Sequence, residues 1–257
     1  MILDQILNYK KRHGFKKTII KIINKLLESI GLINQKPYEF VQKTFEKNIH
    51  NYIGLDRSEI KSMFIVGAHE GREVKVLSKN YPECIFYLFE PYPKYFKFLL
   101  KKFHSNSLVN CFNLGLSSKS GIMEFYQTNI DGSGSLFKPN SLANENYNME
   151  IEEILKVEVR TLDQYINDTS APIPDLLWID VQGHEINVLQ GADESLSLVK
   201  AIFVEIAAGK PIYEGQVSLT MISKYLSKKE FILCELGTDY LNLTGNAIYL
   251  NSRFIRE

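Results

Sequence analysis

The stretch MFIVGAHEG, residues 63–71, joins an apolar run to a turn with two glycines and then to a helical pattern. A short, fully apolar run is typical of a strand buried on both faces of a parallel sheet. Gly67 and Gly71 permit a tight turn and let the backbone approach a ligand closely. An ordinary strand-to-helix turn also uses glycine, and the fingerprint G-x-G-x-x-G is absent. The stretch therefore predicts an α/β fold, and only weakly a ligand site.

Apolar runs alternate with helical patterns along the rest of the chain, which predicts a parallel sheet with helices on both faces. The predicted strands are 63–66, 85–90, 108–113, 176–180, 201–206, 231–235 and 247–250. The predicted helices are 70–79, 93–103, 184–195 and 219–228. We expect the last two strands to form an antiparallel hairpin at a sheet edge. Residues 131–148 are rich in Ser, Asn and Gly, which predicts a long loop of the kind that often forms a lid.

Composition narrows the class of protein. A chain of 257 residues that is 45% hydrophobic is long enough for one sizeable domain. Basic and acidic residues number 30 each, so no net field attracts nucleic acid. Cys84, Cys111 and Cys234 have no metal-binding spacing and are expected to be buried thiols in a reducing compartment. No apolar run reaches the roughly 18 residues of a membrane span, so we expect a cytoplasmic protein.

The N-terminal part of the chain, residues 1–60, is expected to be a helical extension of the main domain, residues 61–257. Its first 33 residues carry seven basic side chains against two acidic ones. Apolar residues recur at helical spacing between Ile19 and Ile30, with lysines on another face. Such a helix can lie on an anionic membrane or a partner protein, or it can pack on the main domain with its lysines in water. The second interpretation is favoured because charged faces are usually solvated.

A carboxylate ends the second predicted strand. Glu90 follows an apolar run and precedes Pro91, 23 residues after Gly67. An acid about 20 residues beyond a glycine turn can accept hydrogen bonds from both ribose hydroxyls of a nucleoside cofactor. A surface glutamate at a strand end is the less favoured alternative. The cofactor-binding candidates in these two segments are Gly67, Ala68, His69, Gly71, Glu90 and Pro91.

The third predicted strand ends in NLGLS, residues 113–117. If Glu90 holds the ribose, the nucleobase lies against this tip. Asn113, Leu114 and Ser117 are therefore added to the candidates, with Asn113 or Ser117 bonding the edge of the base. The interpretation that Asn113 only stabilises a turn and contacts no ligand is nearly as good.

The stretch DLLWIDVQGHEINVLQGA, residues 175–192, is the most specific in the chain. It resembles the signature Ile-Asp-Val-(Glu)-Gly-(Ala)-Glu-x-x-Val-Leu-x-Gly-Ala of the FkbM-type family of S-adenosylmethionine-dependent methyltransferases. Residues 66–71, 89–91, 157–163, 204–205, 212–216 and 246–250 also look like segments of that family. This chain departs from the family's usual residues at four positions: Ile65 replaces aspartate, Trp178 lysine, Gln182 glutamate and His184 alanine.

The resemblance implies a class I methyltransferase fold, a Rossmann-like sheet of seven strands with the last strand antiparallel. It also implies S-adenosylmethionine as cofactor and methyl transfer to a hydroxyl oxygen, because relatives commonly methylate sugars, glycans or natural products. The resemblance also implies that residues 157–163 correspond to the strand before the signature.

Three residues are candidates for catalysis. Asp180 and Glu205 each end a central strand, at the edge of the sheet where ligands bind. Asp180 can orient the cofactor's amino group or take the acceptor's proton, and His184 can take that proton instead. Alternatively, His184 is a partly exposed residue at a helix start. No metal site is predicted: Asp180 and Glu205 suit Mg²⁺, but no third ligand can be named.

Two other functions use the same segments. An NAD-dependent oxidoreductase would have the glycine turn and the ribose acid, but Glu70 at the helix start would repel its pyrophosphate. A catalytically silent scaffold module, docked through the basic extension, is the other alternative. The methyltransferase is favoured because several segments match the family at once.

Overall fold

The computed structural model of the chain describes residues 57–207, 209–238 and 244–254. The predicted N-terminal extension, apart from residues 57–60, and its basic amphipathic helix lie outside the described residues. The structure therefore bears on the main domain, which was predicted to begin at residue 61.

A seven-stranded sheet forms the centre of this domain, in the order β3-β2-β1-β7-β8-β10-β9. Its strands are β1 (Ser62–Val66), β2 (Ile85–Phe89), β3 (Val109–Phe112), β7 (Leu176–Ile179), β8 (Ala201–Ala207), β9 (Phe231–Thr238) and β10 (Thr244–Asn251). All adjacent pairs are parallel except those of β10, which runs antiparallel to β8 and β9. The seven predicted strands and the C-terminal hairpin are confirmed.

The two central strands are apolar because the sheet is covered on both faces. Every residue of β1 and β7 is buried. Successive side chains point to opposite faces, so Phe64 and Val66 join one core cluster whereas Met63 and Ile65 join the other. Ile65, where relatives usually have aspartate, is 1% exposed and packs in the same apolar cluster as Trp178. The turn after β1 is thus supported by apolar packing at this position.

Six helices of the described region flank the sheets. They are α1 (Arg72–Asn80), α2 (Pro93–Phe103), α3 (Ser141–Tyr147), α4 (Leu162–Thr169), α5 (Glu185–Gln190) and α6 (Leu219–Ser227). Helix α2 has the predicted bounds. Helix α1 begins two residues later than predicted because Gly71 adopts the left-handed conformation at its N-cap. Helix α5 ends at Gln190, five residues before its predicted end, and a 3₁₀ turn follows at Ser195–Ser197.

A second sheet was largely missed from the sequence. It has the order β4-β6-β5, with β4 (Gly115–Leu116), β5 (Gly121–Thr128) and β6 (Ile151–Arg160). Only the end of β6 was expected, through the family resemblance. The strands β5 and β6 are largely exposed on one face, so they lack the apolar runs that identify the central strands.

The predicted loop 131–148 also contains an unexpected helix. Its second half forms α3, and the side chain of Asn140 accepts hydrogen bonds from the backbone N–H groups of Leu142 and Ala143. Helix α4 is capped in the same way by Thr161, which accepts from Gln164. Both helices are too short to show a clear apolar period, and their caps were the only available signal.

Two further expectations concerned the burial of the cysteines and the absence of a membrane-spanning helix. Cys84 is buried, Cys111 is half-buried and Cys234 is exposed, and none of the three is part of a disulfide. The expectation of buried thiols is therefore wrong for Cys234. Among the described residues, no helix combines the length and apolar character needed to cross a membrane.

Close packing explains why the first turn begins with glycine. Gly67 has φ +81°, and a Cβ at this position would lie 1.8 Å from the carbonyl oxygen of Asp180. The N–H groups of Gly67 and Ala68 both donate to the carbonyl of Phe89, at 3.0 and 3.1 Å. The glycine therefore serves contact between two parts of the protein, so it is not by itself evidence for close approach of a ligand.

We predict that Gly67→Ala strongly destabilises the domain. Gly132→Ala is the matched control, because Gly132 has φ +79° but a Cβ there would meet nothing closer than 3.8 Å. The left-handed conformation should cost both variants about 1–2 kcal/mol, and Gly67→Ala should lose at least ~2 kcal/mol more through overlap with Asp180. Urea unfolding measures both changes. Equal losses would show that the overlap is relieved.

Candidate active site

Glu90 lies directly after β2 and is 5% exposed. Its carboxylate accepts hydrogen bonds from the backbone N–H of His69 at 2.7 Å and of Tyr92 at 2.9 Å. Burial raises the pKa of Glu90 to about 7, although these two hydrogen bonds act in the opposite direction. The carboxylate thus joins the glycine turn to the segment after β2, as the prediction of a common site requires.

The carboxylate of Glu90 has acceptor positions that fit the hydroxyls of a ribose. Each carboxylate oxygen accepts one backbone N–H and has capacity for a further hydrogen bond. Two hydroxyls on neighbouring carbons can use these two oxygens. The structure therefore brings together the predicted cofactor candidates of the first two strands in an arrangement compatible with that role.

The candidates after β3 bond mainly to the protein. The side-chain amide of Asn113 donates to the carbonyl oxygens of Glu90 at 3.0 Å and Pro91 at 2.9 Å. Leu114 is 7% exposed and belongs to the apolar core. Ser117 is buried, with its hydroxyl 2.9 Å from Nε2 of His184. Asn113 therefore supports the segment that carries Glu90, whether or not it also contacts the nucleobase of a cofactor.

His69 connects the glycine turn to the loop after β5. It has φ 46°, and its ring centroid lies 3.9 Å from that of Tyr95. Nε2 of His69 lies 3.4 Å from Oδ1 of Asp131, and the hydroxyl of Tyr95 donates a hydrogen bond to the same oxygen. The loop therefore begins next to the turn.

The other side of the loop contacts the residues after β7. The hydroxyl of Ser135 donates to the backbone carbonyl of Gln182 at 2.8 Å, and the hydroxyl of Tyr213 donates to the carbonyl of Ser133 at 2.9 Å. Pro139 forms a β-bridge with Tyr213. Residues 131–140 thus run from the glycine turn to the end of β7, the position expected of a lid. Movement of this loop stays a prediction.

Asp180 directly follows β7, Glu205 lies in β8 two residues before its end, and the two side chains lie together as expected. The side-chain nitrogen of Gln182 lies 2.7 Å from Oδ1 of Asp180 and 2.7 Å from Oε2 of Glu205. The pKa of Glu205 is raised well above its usual value, first by burial and then by the charge of Asp180 and a hydrogen bond with it. Burial and the neighbouring carboxyl of Asp180 therefore disfavour ionisation of Glu205.

Two further residues belong to this cluster and were given no role from the sequence. Glu185 is 2% exposed, accepts from the backbone N–H of Gly183 at 2.8 Å, and has a pKa raised to about 7, chiefly by burial. Tyr213 is 2% exposed, and burial, with the charges of Glu205, Glu185 and Asp180, raises its pKa. Both lie in segments that match the family, which was the only signal for them in the sequence.

His184 is buried rather than partly exposed. It is 1% exposed, and its ring lies edge-on to Phe137 at 4.5 Å. Nε2 is paired with Ser117, whereas Nδ1 is enclosed without a hydrogen-bond partner. Burial lowers the pKa of His184 to about 4, so the ring is neutral at physiological pH. The structure does not show a contact between His184 and the carboxyl pair.

In the part of the chain that the structure describes, no group of three or more His, Cys, Asp or Glu side chains is arranged to hold a metal ion. Between the carboxyls of Asp180 and Glu205, the side-chain amide nitrogen of Gln182 donates a hydrogen bond to each.

The fold and the site together define the class of protein. A mostly parallel seven-stranded sheet with β10 reversed between β8 and β9 has the order of the class I methyltransferases. The strand order reverses direction between β1 and β7, and ligands of open α/β sheets bind at such a switch point. Glu90 and Asp180 follow strands at this edge. The chain is a class I methyltransferase, a class that uses S-adenosylmethionine.

Within this class, the chain belongs to the FkbM methyltransferase family. The family described as "Methyltransferase FkbM domain" matches residues 66–233. Membership decides against the NAD-dependent oxidoreductase, and it confirms the family resemblance seen in residues 175–192.

Two relatives and one solved structure are similar to this chain. The 2-O-methyltransferase NoeI of Sinorhizobium fredii (strain NBRC 101917 / NGR234) is 26% identical over 174 residues, 65% of this chain and 71% of the relative. The hexuronic acid methyltransferase AglP of Haloferax volcanii is 28% identical over 196 residues, 73% and 76% of the two chains. The crystal structure of methyltransferase FkbM from Methylobacillus flagellatus KT is 16% identical, with a TM-score of 0.47, and the match covers 75% of this chain and 44% of that one.

We predict that Glu185 makes the domain less stable as pH rises. The folded protein keeps the proton of Glu185 up to about pH 7, whereas the unfolded chain loses it near its usual value of 4.5. The free energy of unfolding should therefore fall between these pH values. In Glu185→Gln this fall should be smaller by on the order of 3 kcal/mol.

Urea unfolding between pH 5 and pH 8 measures this effect. The exposed Glu194 provides the control, because Glu194→Gln changes a carboxyl that lies in water. An identical pH dependence in wild type and Glu185→Gln would show that Glu185 is ionised in the folded protein.

Proposed function

We propose that this methyltransferase transfers a methyl group from S-adenosylmethionine to a hydroxyl oxygen of a sugar or glycan. The observation that carries the proposal is the pair of carboxyls at the ends of β7 and β8, in a chain of the FkbM family. An alcohol must lose its proton when its oxygen is methylated, and a carboxylate beside the reacting oxygen can accept that proton.

The cofactor would be held at the glycine turn and at the tip of β2. Glu90 would accept the ribose hydroxyls, while the turn Gly67–Gly71 and the segment Asn113–Ser117 would contact the rest of the nucleoside. When bound, S-adenosylmethionine supplies a methyl group on a positively charged sulfur. The acidic surroundings of Asp180 and Glu205 favour such a positive charge.

Asp180 is the proposed base. Its carboxylate contacts Glu205 and accepts a hydrogen bond from Gln182, so its orientation is fixed by two partners. Glu205, whose pKa is raised well above its usual value, lies against Asp180 and helps to hold its carboxylate in place. His184 is the weaker candidate because Nε2 is paired with Ser117 and Nδ1 is enclosed.

The choice of a sugar hydroxyl is supported by the two relatives, one named as a 2-O-methyltransferase and the other as a hexuronic acid methyltransferase. Sugar hydroxyls are weakly acidic, so their methylation needs alignment behind the methyl group and a base for the proton. The loop 131–140, which spans the two halves of the site, would cover a bound acceptor and exclude water. The proposal is independent of Mg²⁺ and places no metal in the site.

We predict that the protein binds S-adenosylhomocysteine, the demethylated cofactor, and does not bind NAD. Glu90→Ala should weaken this binding about 100-fold, because two hydrogen bonds from the ribose hydroxyls are lost. Isothermal titration calorimetry measures both affinities. Glu83→Ala serves as the control, since Glu83 is exposed and pairs with Lys61. Equal affinities of Glu90→Ala and wild type would refute the assignment of Glu90.

We also predict that Asp180→Asn lowers turnover by at least ~100-fold while S-adenosylhomocysteine binds within a few-fold of wild type. Transfer of tritiated methyl from S-adenosylmethionine to p-nitrophenyl hexosides and hexuronides measures turnover. Asp193→Asn is the matched control, because Asp193 is exposed and pairs with Lys229. Full turnover by Asp180→Asn would exclude Asp180 as the base, and no transfer to any glycoside would count against a sugar acceptor.

A further inference from the structure

Gln182 occupies an unusual backbone position. It follows the end of β7 with φ 53°, and the next residue, Gly183, has φ 99°. A residue other than glycine is disfavoured in this region by roughly 1–2 kcal/mol. A Cβ on Gly183 would lie 3.1 Å from the side chain of Tyr213, so this turn packs tightly. The left-handed backbone therefore fixes the direction of the Gln182 side chain, at a cost in conformational free energy.

The side-chain amide of Gln182 bridges the two carboxyls. Its nitrogen carries two hydrogens, and it lies 2.7 Å from an oxygen of Asp180 and 2.7 Å from an oxygen of Glu205. On the other side, the hydroxyl of Tyr213 lies 3.5 Å from the amide oxygen. The amide nitrogen faces the acids because carboxylate oxygens accept hydrogen bonds, whereas the single hydrogen of the Tyr213 hydroxyl is donated to the carbonyl of Ser133.

Gln182 contacts the loop through its backbone carbonyl and not through its side-chain amide. The backbone carbonyl of Gln182 accepts the hydrogen bond from Ser135 that anchors the loop. Any residue at position 182 can supply that carbonyl. The side chain is therefore not needed for the loop contact, and its bonds to Asp180 and Glu205 require a separate explanation.

We propose that Gln182 is a positioning residue: its amide holds the carboxyls of Asp180 and Glu205 side by side and keeps the pair able to accept a proton. The inference rests on the proposed role of Asp180 as the base. An amide suits the task because it donates to both acids without adding a charge of its own.

The surrounding charges show why such a donor is needed. The charge of Asp180 raises the pKa of Glu90, Glu185 and Glu205. It also raises the pKa of Tyr213, which faces the same cluster. Each neighbouring acid makes ionisation of the pair harder. The hydrogen bond from Gln182 is the influence that lowers the pKa of Glu205 against burial and the charges of Asp180 and Glu185. Loss of this donor should make the pair harder to ionise.

The test is a titration of the cofactor-free protein, so no acceptor is required. In protein labelled with [δ-¹³C]glutamate, carboxyl NMR resonances are followed with pH, and Glu205→Gln identifies the resonance of Glu205. Gln182→Met keeps the size of the side chain but removes both donors. We expect the midpoint followed at Glu205 to move to higher pH by about one unit. Gln182→Glu adds a carboxyl in place of the amide and should move it at least as far.

Gln164→Met is the matched control, because Gln164 lies on α4 and its amide oxygen accepts from Ser120, away from the acids. It should leave the midpoint unchanged. A midpoint in Gln182→Glu and Gln182→Met within about 0.3 unit of wild type would overturn the inference. If Gln182→Met unfolds, Gln182→Leu, which also lacks both donors and adds no charge, takes its place.

The result is distinguishable from a failure of the proposed function. A shifted midpoint together with full turnover in Asp180→Asn would leave Gln182 coupled to the acids but would reject Asp180 as the base, and with it the catalytic meaning of the inference. An unchanged midpoint together with inactive Asp180→Asn would reject only the role of Gln182.

Discussion

The contact between the turn after β1 and the end of β7 is the constraint on which the site depends. Asp180 donates its backbone N–H to the carbonyl of Val66 at 3.0 Å, and the carbonyl of Asp180 lies where a side chain at position 67 would be. Since β1 and β7 are adjacent parallel strands, their carboxyl ends meet at this point. The cofactor turn and the proposed base are therefore placed next to each other by the backbone, before any side chain contributes.

The site concentrates acidic groups and holds them with N–H donors. Glu90 is bonded by the backbone of His69 and Tyr92, Glu185 by that of Gly183, and the Asp180–Glu205 pair by the amide of Gln182. Neutral donors orient a carboxylate without cancelling its charge. The arrangement suits a cofactor whose reacting centre is positively charged.

The sequence was sufficient to predict the central sheet because its strands contain short apolar runs, of which β1 and β7 are buried on both faces. It was insufficient for β5 and β6, which are exposed on one face and carry polar residues there. Glu90, Asp180 and Glu205 could be predicted as a group because strand ends meet in a parallel sheet. Glu185 and Tyr213 could not, since their roles arise from contacts between segments distant along the chain. Gly67 was predicted to allow close approach of a ligand, whereas the structure shows that its contact with the carbonyl of Asp180 requires glycine.

The insertion of β10 between β8 and β9 has a consequence for the synthesis of the protein. One edge of β8, the strand that carries Glu205, is hydrogen-bonded only by β10, which follows much later in the chain. While the polypeptide emerges from the ribosome, the earlier strands can assemble but β8 stays an open edge. The second neighbour of β8 is therefore added late in synthesis, and a nascent chain lacking β10 presents an unpaired strand edge.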